Sequence, residues 1–257
     1  MGLAMKNRLQ VVAVLALGVS ALGVRAQTLD DQALTVAAQS ECGRHSWKQR
    51  GKAPAGFIKG MAASYAKTWC ESRKSPDSIA AALAGTDFKP ERDALVHYGS
   101  AGGGPEDRLR AIYALAISEG MRESSGNTTE GYDRTVKNQT EEIAEAGLFQ
   151  VSHDSLRASP LLQKLWDRFA ANPSDCNLSI FQEGIKKVDR PEVGNGKGAE
   201  FQRFTRACPA FAVEYAAVMM RSNLNHFGPI KRMEAELLPA CVAMFQQVEQ
   251  AAAPLCP

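Results

Sequence analysis

Six cysteines stand at positions 42, 70, 176, 208, 241 and 256, and none lies in the first 26 residues. An even set of this kind in an oxidising compartment ties a chain together in three places, so any fold must bring three pairs of backbones close. The N-terminus supplies the compartment. Lys6 and Arg8 form a basic start, Val11 to Leu22 is apolar apart from Gly18 and Ser20, and Val24-Arg25-Ala26 is a small-x-small cleavage signal. Residues 1–26 therefore read as a signal peptide, with the mature chain starting near Gln27 and ending up secreted or periplasmic. The apolar stretch is shorter than the ~18–20 residues of a membrane span, and no second such run follows. Six cysteines permit 15 pairings. The sequence-local set, Cys42–Cys70, Cys176–Cys208 and Cys241–Cys256, is the one expected.

The same residues argue against metal chemistry. There is no Cys-x-x-Cys, the four histidines (His45, His97, His153, His226) are scattered, and no His-Glu-x-x-His occurs. No metal and no organic cofactor is expected. The formal charge is +2, and removing the three cations of the leader reverses its sign. That leaves no long-range field for nucleic acid. With 45% hydrophobic and 23% charged residues, the chain is globular in composition and not disordered. A monomer is expected.

The exported part reads as mostly α. Helical patterns cover Ala33 to Cys42, Ala55 to Ser72, Pro76 to Leu83, Pro90 to Tyr98, Pro105 to Glu123, Asp154 to Ala171, Arg206 to Leu224 and Gly228 to Gln250. Gly99 to Gly104 is a connector that lacks a phosphate-loop signature. Ser124 to Asn138 is polar and not helical, and any β structure is expected there. Pro191 to Gly198 reads as a Gly-rich surface loop. Residues 27–98 read as a helical extension packed on a main domain of 99–257.

The segment Pro105 to Glu123 carries the chemistry. Leu109, Ile112, Tyr113, Ala116, Ile117, Gly120 and Met121 fall on one apolar stripe. Glu123 projects only ~60° from the centre of that stripe, Arg122 points almost opposite, and Glu119 falls near the edge. Burial and the negative end of the helix both raise the pKa of a carboxyl group. A carboxyl that holds its proton near neutral pH is what a general acid needs.

The residues around Glu123 form a pattern. Arg122-Glu123-Ser124-Ser125-Gly126 is followed, after a polar stretch, by Ala146-Gly147-Leu148-Phe149-Gln150. This order resembles the lysozyme-like superfamily, nearest in pattern to goose-type lysozymes and soluble lytic transglycosylases. The likeness covers roughly Arg108 to Ser155. Phe149 stands where the family usually has Met, and a Tyr-Asn-Ala-Gly element is absent, with Tyr215-Ala216-Ala217 late in the chain instead. The resemblance implies a lysozyme-like helical domain with a small irregular or β-containing lobe. It implies that Glu123 protonates a glycosidic oxygen, and that Ser124 and Gln150 hold substrate or position the acid. The implied substrate is a β-1,4-linked aminosugar polymer, peptidoglycan first and chitin or chitosan second.

Inverting hydrolysis needs a second carboxylate, and Glu145 and Asp133 are the candidates; a transglycosylase needs none. Tyr132, beside Asp133, is a candidate sugar contact. Asn225-His226-Phe227-Gly228-Pro229 reads either as a plain helix–helix turn or as a source of sugar contacts from Asn225 and His226. A non-catalytic exported protein that binds polysaccharide or protein on the same scaffold is the rival function.

Overall fold

The computed structural model describes residues 27–185 and 190–256, so the leader expected over residues 1–26 lies outside the described residues. Helix α1 (Leu29–Gln39) starts at a reciprocal cap between Thr28 and Asp31. A short hairpin follows, β1 (Ser46–Trp47) against β2 (Gly51–Lys52). Then come α2 (Ala55–Lys74), α3 (Ile79–Ala84), α4 (Ala94–His97) and α5 (Pro105–Ser124). An irregular stretch leads to α6 (Pro160–Ala171) and α7 (Leu178–Phe181). The chain ends with α8 (Lys197–Ala207), α9 (Pro209–Ser222), α10 (Gly228–Lys231) and α11 (Pro239–Ala252). The fold is mostly α, with a small two-stranded sheet.

Helix α9 is buried along almost its whole length, as an all-round apolar sequence such as Ala-Phe-Ala-Val-Glu-Tyr-Ala-Ala-Val-Met-Met demands. It packs against α2, α5, α6 and α8. On one side Tyr113 meets Tyr65 and Phe245 edge to face, and Tyr65 and Phe245 lie tilted against each other, joining α2, α5 and α11. On the other, Trp166, Phe201, Phe204 and Phe211 join α6, α8 and α9. Residues from both sides of position 98 share one continuous core.

Three local expectations are corrected. The β pairing lies at Ser46–Trp47 and Gly51–Lys52, not in Ser124 to Asn138. Gln49 and Gly51 both adopt positive φ, which lets the chain reverse tightly while Trp47 is buried. In the 124–138 stretch, Asn127 and Asp133 instead accept the backbone N–H groups of Thr129 and Thr135. Such local turns compete with a strand ladder. Next, the helix expected from Arg206 is interrupted at Cys208–Pro209, and α8 begins as early as Lys197. Proline cannot supply the N–H that a continuous helix requires there. The run from Gly228 to Gln250 is likewise two helices, with irregular chain before Pro239.

The disulfides are the third correction. Cys176–Cys208 pairs as expected, with a Cα separation of 4.4 Å. The other two bonds are Cys42–Cys241 and Cys70–Cys256, with Cα separations of 4.7 and 5.3 Å. The cause is packing: α11 lies directly on α1 and α2, so the nearest thiols come from opposite ends of the chain.

Candidate active site

Helix α5 ends abruptly. Ser125 and Gly126 both take left-handed φ, and their N–H groups close onto the carbonyls of Met121 and Gly120. A side chain at Gly126 would also collide with Phe57 and Pro54. Glu123 is thus fixed, half-buried, in the last turn of a rigid helix. Ser124 is buried, and its hydroxyl reaches the carbonyls of Gly120, at 3.1 Å, and Leu148, at 2.8 Å. Its oxygen also accepts the N–H of Asn127. Ser124 therefore fastens the end of α5 to the Gly147–Gln150 turn, which is a positioning role.

That turn is not the start of a helix. Ala146 and Val151 exchange backbone hydrogen bonds, and Gly147 and Gln150 both have positive φ. Gln150 is buried, and its amide donates to the Gly147 carbonyl at 3.0 Å. Its side chain braces the turn. Glu145 stands just before the turn, within electrostatic reach of Glu123. Burial pushes Glu145 up to about 7, and the charges of Glu123, Asp133 and Asp154 push the same way. No cation opposes them among its main influences.

Glu145 lines an open cleft of about 480 Å³ together with Ser152, Asp154, Arg157, Asn223 and His226. Burial holds His226 below its ordinary range, so its imidazole is neutral near pH 7, although Asp154 opposes the shift. Asn225 is exposed and does not line this cleft; Asn223 does. Asp133 is exposed, and its carboxylate accepts both the N–H and the hydroxyl of Thr135, which keeps it below the usual carboxylate range. Its carboxylate is engaged in its own turn. Tyr132 is half-buried in the same loop.

Several residues around the site were not singled out by the sequence reading. Burial also raises Glu123, while a hydrogen bond from Glu119 and the charges of Arg50, Arg122 and Arg232 pull it down. Glu119, one turn earlier on α5, is 0% exposed. Neither of its oxygens meets an N–H or hydroxyl donor among the described residues. Its neighbour is the Glu123 carboxyl, and burial followed by that neighbour holds Glu119 well above the usual carboxylate range. Two carboxyl groups can hydrogen bond only if one carries a proton, and Glu119, sealed from water with no N–H or hydroxyl donor among the described residues, is the more deeply buried of the two. The spacing Glu119-x-x-x-Glu123 is the signal that could have flagged it, since residues four apart share a helix face.

No family matches this chain, and neither a curated protein nor a solved structure does.

The basic hairpin forms one flank of the α5 terminus. His45 at its base meets Glu236 at 3.1 Å and stacks edge-on against Trp47. The Glu236 N–H donates to Ser118 on α5 at 2.6 Å, and Pro54, beyond the hairpin, packs near Gly126. Lys48, Arg50 and Lys52 are exposed and make no ion pair among the described residues.

Proposed function

We propose that this chain is an exported enzyme that cleaves β-1,4-linked aminosugar polymers, with peptidoglycan the first choice. The observation that carries this reading is the pair Glu123 and Glu145. Burial raises both carboxyls and the charge of Glu123 acts on Glu145; Glu145 lines the open cleft, while Glu123 lies half-buried at the end of α5 and is not among the residues that line it. Glycoside hydrolysis uses such a pair, one as proton donor to the leaving oxygen and one to activate water or attack the sugar. In the reading implied by the resemblance to lysozyme-like enzymes, Glu123 gives its proton to the glycosidic oxygen as the C–O bond breaks. Glu145 takes a proton from the water that attacks the anomeric carbon, so charge balances over the step. Asn223 and His226, which line the cleft, would hydrogen bond sugar hydroxyl or amide groups. The unpaired cations of the hairpin favour a polymer that carries carboxylates, as peptide-substituted glycan does and chitin does not. The three disulfides support the exported setting.

One observation favours the exchange of the two roles. Three arginines act on Glu123, whereas the charges that act most strongly on Glu145 are those of other acids. Cations favour the ionised form, so Glu145 is the better keeper of a proton. Azide separates the two assignments. It replaces the water nucleophile, so it rescues the amide variant of the base and leaves the acid variant inactive on an ordinary substrate. Rescue of Glu145→Gln assigns Glu123 as the acid, and rescue of Glu123→Gln exchanges them. The enzyme reading itself is tested by digesting peptidoglycan and weighing the products. A reducing end marks hydrolysis, a 1,6-anhydro end marks transglycosylation, and no cleavage overturns the reading.

A further inference from the structure

The carboxyl of Glu119 has no evident function in packing. A glutamate fully inside the core, with no donor for either oxygen, is strongly disfavoured as an anion. A residue of similar size without the polar group, such as methionine, would fill the space. What its position does provide is a place one helical turn from Glu123 on the same face of α5, where neighbouring side chains meet.

We propose that Glu119 is a positioning residue that keeps its proton and donates it in a hydrogen bond to Glu123, so that the two carboxyls titrate as one unit. The inference rests on the reading of Glu123 as a reacting group. Its physical content is a fixed donor. Burial alone would shift Glu123 towards its protonated form. A neutral donor one turn away stabilises the ionised form and aims the carboxyl. The other groups facing the pair are Arg122 on the same helix, Arg232 just after α10, Arg50 from the hairpin and Tyr98 from the end of α4. The three cations favour ionisation, and Glu123 is the more accessible partner to receive it, since Glu119 is sealed from water.

The test uses the intact mature protein labelled with carbon-13 at the glutamate carboxyls. Titrations followed by nuclear magnetic resonance are compared for wild type, Glu119→Gln and Glu119→Met. The expected result is a Glu119 carboxyl that stays protonated through pH 7. Glutamine keeps an N–H donor, so Glu123 in Glu119→Gln should titrate close to its wild-type midpoint. Methionine removes the donor, and the proton affinity of Glu123 should rise at least ~10-fold. A variant that merely loses packing would not move the Glu123 midpoint in this donor-dependent order. An ordinary titration of Glu119, or a Glu123 midpoint unmoved in Glu119→Met, overturns the inference. Circular dichroism of both variants checks the fold. The measurement needs no turnover, so failure of the glycosidase reading would show in the peptidoglycan digest and leave the titration result standing.

Discussion

Glu123 and Glu119 sit four residues apart on one helix, yet they should answer mutation in opposite ways. Replacing Glu123 by glutamine should leave folding and polymer binding intact and slow cleavage at least ~100-fold, the low end of acid–base catalysis. The loss belongs in kcat, because the role proposed for Glu123 lies in the chemical step. Normal turnover of this variant would remove Glu123 from the mechanism. Glu119→Gln should instead show itself in stability. The folded protein holds Glu119 well above the usual carboxylate range, whereas in the unfolded chain it titrates near ~4.3. Below the unfolded value both states are protonated and the group is neutral to folding. As pH rises from there towards the folded value, the unfolded state sheds a proton that the folded state keeps, and wild type loses stability. Glutamine does not titrate, so the variant should gain melting temperature over wild type progressively above about pH 4–5. A difference that is flat with pH would mean Glu119 is not buried as a neutral acid.

Among the elements, the hairpin and the Gly147–Gln150 turn decide how the site is dressed. Lys48→Ser and Lys52→Ser together should raise KM for a carboxylate-bearing glycan and weaken its dependence on salt, while neutral chitin oligomers are unaffected. Equal KM values on both polymers would show the hairpin to be a solvated edge. Little of this element was legible in advance. Lys48-Gln49-Arg50-Gly51 has no standard two-residue turn signal, and its pairing depends on Gln49 entering a left-handed conformation that the sequence does not announce. Helix α5 was legible to within a residue, because its apolar stripe, its Pro105 start and its Gly126 stop all agree. Helix α8 was hidden: Gly196 and Gly198 suggest a loop. In the structure Gly194, Gly196 and Gly198 crowd Glu141, whose carboxylate accepts the N–H groups of Asn195 and Gly196. Those glycines are there for close approach, and the helix simply starts among them. At the site, Glu123 could be found from its helix face and Glu145 from its neighbourhood. Glu119 looked like an edge residue because a helical wheel does not show how deeply the neighbouring helices cover it.

On the scale of the whole molecule, covalent bonds join the two ends of the chain. A non-reducing peptide map should recover Cys42 with Cys241 and Cys70 with Cys256, and consecutive pairs there would contradict the packing of α11 on α1 and α2. Replacing Cys42 and Cys241 together by serine should cost about 3–5 kcal/mol in denaturant unfolding, since that bond closes a span of 199 residues. The spans of 199 and 186 residues also set an order of events during maturation. A chain emerges N-terminus first, so Cys42 and Cys70 meet an oxidant while their partners are still being made. The bond most available to them then is the one between themselves, and it is absent from the finished fold. Only Cys176 and Cys208 can close correctly as soon as both have appeared. Correct product therefore requires either that oxidation waits for the last helix or that a thiol exchanges an early, mistaken link. The yield of this protein should accordingly follow the supply of a disulfide-shuffling catalyst more closely than the supply of oxidant.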